Sequence, residues 1–276
     1  MKGNGYKTFP EYRALRGVNW GLLREMQISP AHYRYRLTNE RDDSPAMALG
    51  RAIHSAVLEP DRFFVEFSYF DGPRRAGKAW DEFAAANVGR TILKADEYER
   101  VLAIRDAVRR HKVARRLLRW GKPEVTVQWV DPETRLCCKA RPDWIGPGGT
   151  LIDLKSTRSI DAREFGRLAV RMHYIEQLAF YRMGLLERGA EPGPVYIIAV
   201  EVDGPHDVGV FEVENDALFT GEDIVRELLG KVKDYRRWRR PPGRYPGVQT
   251  LDIPAWFWSA EEDDIRILEG SAPSRA

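Results

Sequence analysis

The sequence predicts a mixed α/β fold, α+β in its mixed sheet: a helical front half, then strands, a helix, more strands and a last helix. Three observations predict it. Residues 124–130 alternate, with Val125, Val127 and Trp129 on one face and Glu124, Thr126 and Gln128 on the other, the period of a strand. "PAMALGRAIHSAVLEP" carries Leu49, Ala52, Ile53, Ala56 and Val57 at helical spacing. Between these two stretches the pattern changes once, near Gly121. We read residues 1–276 as a single domain, with a helical part over 1–121, a sheet and helix over 122–215, and a C-terminal helix and tail over 216–276. A chain of 276 residues can bury a sizeable core.

The elements follow in order. "ISPAHYRYRL" predicts a short helix opened by Ser29 and Pro30. The 45–60 stripe is a helix ended at Pro60, and His54 lies beside its apolar face. A basic loop, "FDGPRRAGK", leads into a helix at about Lys78. "KADEYERVLAIRDAVRRHKVARRLLRWG" is one long helix or two short ones, closed by Gly121. "EVTVQWVD", "LCCKARPDWI" and "TLIDLKS" are three strands of an antiparallel meander, joined by "PETR" and "GPGG". "RMHYIEQLAFYRMGLLERG" is a helix, "PVYIIAVEVD" and "HDVGVFEVE" are strands, and "EDIVRELLGKVKDYRRWRR" is an amphipathic helix. The aromatic tail from Tyr245 shows no period and is expected to pack against the core.

Composition narrows the class. Hydrophobic residues are 43% and charged residues 31%, ordinary for a globular protein, and net charge is only +3. Charge is unevenly placed. Seven cations crowd residues 105–119, "YRRWRRPPGR" is a second basic block, and "EEDD" at 261–264 is an acidic run. Such clusters suit phosphate contact, and each alone suits a solvated helix face equally. Cys137 and Cys138 are adjacent and point to opposite faces of a strand, so they do not bond to each other. Two cysteines cannot hold a four-cysteine zinc site or an iron–sulfur cluster. The expected setting is reducing and cytoplasmic. The N-terminal stretch lacks the apolar run of a signal peptide, and no apolar run is long enough to cross a bilayer.

The chemistry concentrates in "CCKARPDWIGPGGTLIDLKSTRS". Asp153 and Lys155 are two apart in a strand, so both leave the same face while Leu154 points to the core. Asp143 ends the preceding strand, after a proline that suits a strand end. The hairpin brings the two acids together, and two close carboxylates repel unless a cation lies between them. Mg²⁺ fits, because it takes hard oxygen ligands and leaves positions for water and phosphate. Lys155 beside it can orient or deprotonate a water, or neutralise charge on a phosphoryl transition state. The plainer reading is a surface Asp–Lys ion pair. Against it, Lys155 is the only lysine here with an acid two places before it. Its strand is otherwise core-like, and a second acid ends the neighbouring strand. Gln177 and Tyr181, at i and i+4, share a helix face that can hold the lysine and a phosphate.

"RPD" (141–143), "DLK" (153–155) and "QLAFY" (177–181) resemble the PD-(D/E)XK nuclease superfamily, with its restriction-endonuclease-like core, here wrapped by N-terminal and C-terminal helices. "LGRAIHSAVLEPDRF", "AGKAWDEF", "PEVTVQWVDPETRLCCKARPDWI", "IDLKSTRSID" and "YPGVQTLDIPAW" narrow the resemblance to the RecE-type exonucleases (exodeoxyribonuclease VIII) and their phage relatives. It runs from about Ile28 to Trp256, in order.

The resemblance implies that His54 joins the metal site with Asp143 and Asp153, and that the backbone carbonyl of Leu154 completes it. It implies that Lys155 is catalytic, that Gln177 and Tyr181 form the helix pair, and that Glu124 is a further acid. A histidine ligand favours tolerance of Mn²⁺ beside Mg²⁺. Ser156 and Thr157 stand where the family commonly has two threonines, keeping a hydroxyl near phosphate. The implied activity is processive 5′→3′ degradation of linear duplex DNA in phage-type homologous recombination. The family's RecT-like single-strand annealing partner and its ring-shaped homo-oligomer around DNA are implied with it. Arg74, Arg75 and Lys78 are candidates for DNA-backbone contact, which would be sequence-independent and salt-sensitive. The alternatives are an endonuclease or a Cas4/RecB-like nuclease on the same fold, and a non-catalytic DNA-binding protein that retains it.

Overall fold

Two apolar strands run side by side at the centre of the molecule. The computed structural model describes residues 7–39, 44–191, 193–235, 237–254 and 257. Its helices are α1 (Phe9–Ala14), α2 (Trp20–Leu23), α3 (Glu25–Ile28), α4 (Pro30–Thr38), α5 (Pro45–Leu58), α6 (Pro60–Glu66), α7 (Lys78–Ala86), α8 (Ala95–Arg110), α9 (Lys112–Leu117), α10 (Ala162–Arg171), α11 (Tyr174–Leu186) and α12 (Asn215–Tyr235). Its strands are β1 (Phe67–Phe70), β2 (Thr91–Lys94), β3 (Lys122–Pro123), β4 (Val127–Val130), β5 (Cys137–Ala140), β6 (Trp144–Ile145), β7 (Leu151–Thr157), β8 (Val195–Glu201) and β9 (Val208–Glu212).

The main sheet has the order β3-β6-β7-β8-β9. Central strands β7 and β8 are parallel, and the other neighbours are antiparallel. The crossover between β7 and β8 is made by α10 and α11, which covers one face of the sheet as parallel pairing requires. Alternation along β7 and β8 splits the interior in two. Leu151, Ile197 and Ala199 face α11 and α12. Ile152, Leu154, Ile198 and Val200 face α5 and α8. The sheet is therefore sandwiched between helices, and both cores meet along β7.

The meander is present with a gap. β4 pairs with β5, and β3 pairs with β6, in one unbroken register. Between them, residues 124–126 and 141–143 lose the ladder. Pro142 has no N–H to donate, and Glu124 takes a left-handed backbone, φ 52°. The expected strand 124–131 is thus two short strands on either side of this gap.

Other boundaries shift for local reasons. Cys137 is exposed, Cys138 buried, and both are free thiols. The basic helix breaks at His111 into α8 and α9, which ends at Leu117 rather than at Gly121. The helix expected from Arg171 begins at Tyr174, after a left-handed His173. The last helix starts seven residues earlier than its apolar pattern suggested, at Asn215. Tail residues Tyr245, Val248 and Leu251 are exposed, so this part does not pack on the core. The acidic run 261–264 lies outside the described residues. Among the described residues no helix is long and apolar enough to cross a membrane.

Candidate active site

Three acids stand in one row across three neighbouring strands. Carried through the gap, the first hairpin's register sets Glu124 opposite Asp143, and the Glu124 N–H donates to the Asp143 carbonyl at 3.0 Å. One step past its last pair, the β6–β7 register sets Asp143 opposite Asp153. β6 is too short to continue there, and the freed edge of β7 turns to the acids. The Leu154 N–H donates to Asp143 Oδ2 at 2.8 Å. A residue's N–H and C=O leave the same edge of a strand, so the Leu154 carbonyl points to this side too, where no strand pairs with it.

His54 reaches the row from the far layer. The α5 stripe Ile53, Ala56 and Val57 is buried in the same core as Leu154, which turns His54 to the sheet edge. Its Nδ1 lies 3.3 Å from Asp143 Oδ2. Ligand atoms of His54, Glu124 and Asp143 all lie within 4.8 Å of one another. Asp153 is turned from that cluster toward α11. It is 1% exposed, and its Oδ2 lies 2.7 Å from Lys155 Nζ. Lys155 therefore holds that oxygen. Two close carboxyl groups beside an imidazole, with Asp153 next to them, suit a divalent cation, the donor set being mainly hard oxygen with one imidazole.

Gln177 ties the two sides together. Its Oε1 accepts from Lys155 Nζ at 3.3 Å, and its Nε2 donates to Asp153 Oδ1 at 3.4 Å and to the Tyr181 hydroxyl at 2.9 Å. Helical spacing explains the last contact. Lys155 Nζ also sits 4.4 Å from the Tyr174 ring centroid, a cation–π contact.

The electrostatics follow from burial. Burial, then the Asp143 carboxylate, push the Glu124 carboxyl up to about 8, against the pull of Arg141. Burial likewise raises Asp153 to about 6, with Lys155 opposing and Asp143 adding. For Lys155, burial works to discharge the ammonium, but Asp153 and Asp143 outweigh it and hold its pKa above the ordinary lysine value. Lys155 is therefore a fixed cation rather than a resting base. Burial raises the Tyr181 hydroxyl well out of the titrating range.

The remaining expected residues are placed less centrally. Thr157 shares the face of Asp153 and Lys155, but its hydroxyl serves the turn at Ser159, donating to that carbonyl at 3.0 Å. Ser156 points to the other face. Arg75 donates to the Ile92 carbonyl at 2.8 Å, and Lys78 lies 3.8 Å from Glu82. Arg74 lines a concavity of about 340 Å³ with Arg75 and Lys94. Among the described residues, none of these three cations bonds to a site residue. Two neighbours were missed in the sequence. Tyr174 is three before Gln177 and so shares its helix face. Arg141, the first residue of "RPD", ion-pairs Glu124 at 2.9 Å.

A nuclease-like core, a mixed sheet flanked by helices with Asp143, Asp153 and Lys155 at the free edge of its central strand, defines the class: this is a PD-(D/E)XK superfamily protein. More narrowly, residues 20–251 match the family described as PDDEXK-like domain of unknown function (DUF3799), and the chain belongs to that family. Its fold is shared with a crystallised protein from Eubacterium rectale described as a putative exonuclease. The two are 16% identical, with a TM-score of 0.63, over 93% of this chain and 99% of that one. The crystal structure of SSO0001 overlaps far less well, with a TM-score of 0.28 and 12% identity over 80% of this chain and 87% of that one. A search of curated proteins found no match.

Proposed function

We propose that the chain is a metal-dependent exodeoxyribonuclease that degrades linear double-stranded DNA, 5′→3′, in phage-type homologous recombination. The observation that carries the reading is the junction of two groups at one strand edge: the His54–Glu124–Asp143 cluster and the Asp153–Lys155–Gln177 network. A binding module has no need of paired acids facing an anionic phosphate. The Eubacterium rectale protein's description as a putative exonuclease supports the activity, and the polarity and substrate are those that the RecE-type resemblance implies.

His54, Asp143, Asp153, Glu124 and the Leu154 carbonyl are the groups that would hold Mg²⁺, with Mn²⁺ tolerated. A divalent cation there supplies Lewis-acid charge at the phosphate and makes hydroxide available near neutral pH. In the hydrolysis, a water oxygen bonds to phosphorus as the bond to a sugar oxygen breaks, the water loses a proton, and the leaving oxygen gains one. Lys155, held as an ammonium, opposes the negative charge that grows on the phosphoryl oxygens. Gln177 fixes the lysine and Asp153, and Tyr181 fixes Gln177. Arg74, Arg75, Lys78, Ser156 and Thr157 are candidate DNA contacts. We further infer a ring-shaped homo-oligomer, a RecT-like annealing partner and a cytoplasmic setting.

The test is digestion of a linear duplex labelled at either 5′ or 3′ end, beside a closed circle, with Mg²⁺ and with EDTA. Early loss of the 5′ label with the circle intact is expected. Cutting of the circle would move the activity to an endonuclease. Early loss of the 3′ label alone would reverse the polarity.

A further inference from the structure

We propose that Trp120 and the cations of α9 form a second nucleic-acid site, one that holds single-stranded DNA beside the active site. This rests on the nuclease reading for its role, though not for its chemistry. Residues 107–123 contain seven cations and no acid. Among the described residues, none of the seven has a carboxylate within ion-pairing distance. Lys112, Arg115, Arg116 and Arg119 line a concave space of about 660 Å³. Elsewhere on this surface, lysines and arginines are commonly paired, as Lys78–Glu82, Arg226–Glu133 and Lys231–Glu227 are. An uncompensated cationic concavity is a site for phosphates.

Trp120 makes the surface more than a charge patch. It is 66% exposed, and the Arg119 guanidinium carbon lies 5.3 Å from its ring centroid. It is also held in place. The next residue, Gly121, has φ +159°, and a Cβ there would lie 2.3 Å from Trp144 Nε1 and 2.6 Å from the Ile145 carbonyl. Only glycine fits this corner, so the backbone is pinned to β6 and the Trp120 ring is presented outward from a rigid mount. An exposed indole backed by a guanidinium offers a π face to an unstacked base. Duplex bases are stacked on one another and cannot use it, whereas single strands bind through such platforms combined with a basic groove.

The position suits a strand leaving or entering the site. Three residues, two of them the strand β3, separate Trp120 from Glu124, which puts the two at most about 13 Å apart along the chain. That is a few nucleotides from the row of acids.

The experiment is fluorescence anisotropy of a labelled oligothymidylate and of a duplex of equal length, both in EDTA so that nothing is cut. Trp120→Ala should weaken single-strand binding by about five-fold or more, the loss of one base stack, and spare the duplex. Trp120→Phe should restore most of it. Arg115→Ala with Arg116→Ala should lower the slope of log affinity against log salt by about 1.4, the value for two phosphate contacts on a single strand. Unchanged single-strand affinity in Trp120→Ala would overturn the proposal, and so would an equal loss on duplex, which marks a plain backbone surface. Concentration-dependent self-association lost in Trp120→Ala, with DNA binding intact, would also overturn it. The nuclease reading is judged apart, by cleavage in Mg²⁺. A wild type that cuts nothing while Trp120→Ala loses single-strand binding would sink that reading and leave this site standing.

Discussion

Glu124 faces Asp143 across the gap in the first hairpin, joined to it by a single backbone hydrogen bond of 3.0 Å. Where the ladder lapses, two carboxyl groups come together with His54: Asp143 accepts from the Leu154 N–H, and Glu124 pairs with Arg141. Burial and the neighbouring Asp143 still outweigh Arg141 and favour the protonated form of Glu124.

A pH dependence follows. In the metal-free protein Glu124 lies at about 8 and Asp153 at about 6, both above their ordinary values. Between roughly pH 4 and 8 the folded state therefore holds protons that the unfolded chain has released, so stability falls as pH rises. Thermal unfolding in EDTA should show a lower Tm at pH 8 than at pH 5.5, by at least the 2–4 °C that about 1 kcal/mol gives in a chain of this size. Glu124→Gln should flatten that slope. Mg²⁺ at pH 8 should raise Tm, because it binds the ionised carboxylates and releases their protons. A Tm in EDTA that rises with pH would contradict the placement of these acids.

Gln177 joins Lys155, Asp153 and Tyr181. Gln177→Ala should lower kcat by about 10–100-fold, as loss of an orienting contact does, with little change in KM. Tyr181→Phe removes only the oxygen that accepts from Gln177 Nε2, so its effect should be smaller, under about 10-fold. Steady-state kinetics on a defined duplex separates them, and a larger loss in Tyr181→Phe would mean that the hydroxyl itself meets substrate.

The position of α11 depends on Gly184. A Cβ there would lie 2.6–2.9 Å from the Trp129 ring, which itself packs on Phe180 at 4.8 Å between centroids. Gly184→Ala should cost about 1–3 kcal/mol by overpacking, read by urea unfolding. It should also lower activity by tilting the helix that carries Gln177. Full stability in this variant would show that the helix and sheet have room to separate.

Much of this site was legible before the fold. A period of two puts Asp153 and Lys155 on one face, and a period near four puts Gln177 and Tyr181 on another; both are local rules that tertiary structure left intact. The gap at 124–126 was not legible, because the alternation there reads as one continuous strand, and only the three-dimensional pairing reveals where hydrogen bonds stop. The short parallel pair β1–β2 escaped for a similar reason: four-residue strands set 24 residues apart carry no turn signal. Helix α10 was legible but unread: Phe165, Leu168 and Ala169 recur at helical spacing and pack on the core. Tyr174 was hidden by the left-handed His173, which starts α11 later than the sequence pattern does and so brings that ring over Lys155.

The most direct measurement is cleavage of a linear duplex by the wild-type protein and by Lys155→Ala and Asp153→Asn, each with Mg²⁺ and with EDTA, after circular dichroism has confirmed folding. The account predicts cutting by the wild type in Mg²⁺ alone, and a loss of about 10²-fold or more in both variants. Near-wild-type rates in either folded variant, or cutting that persists in EDTA, would contradict it.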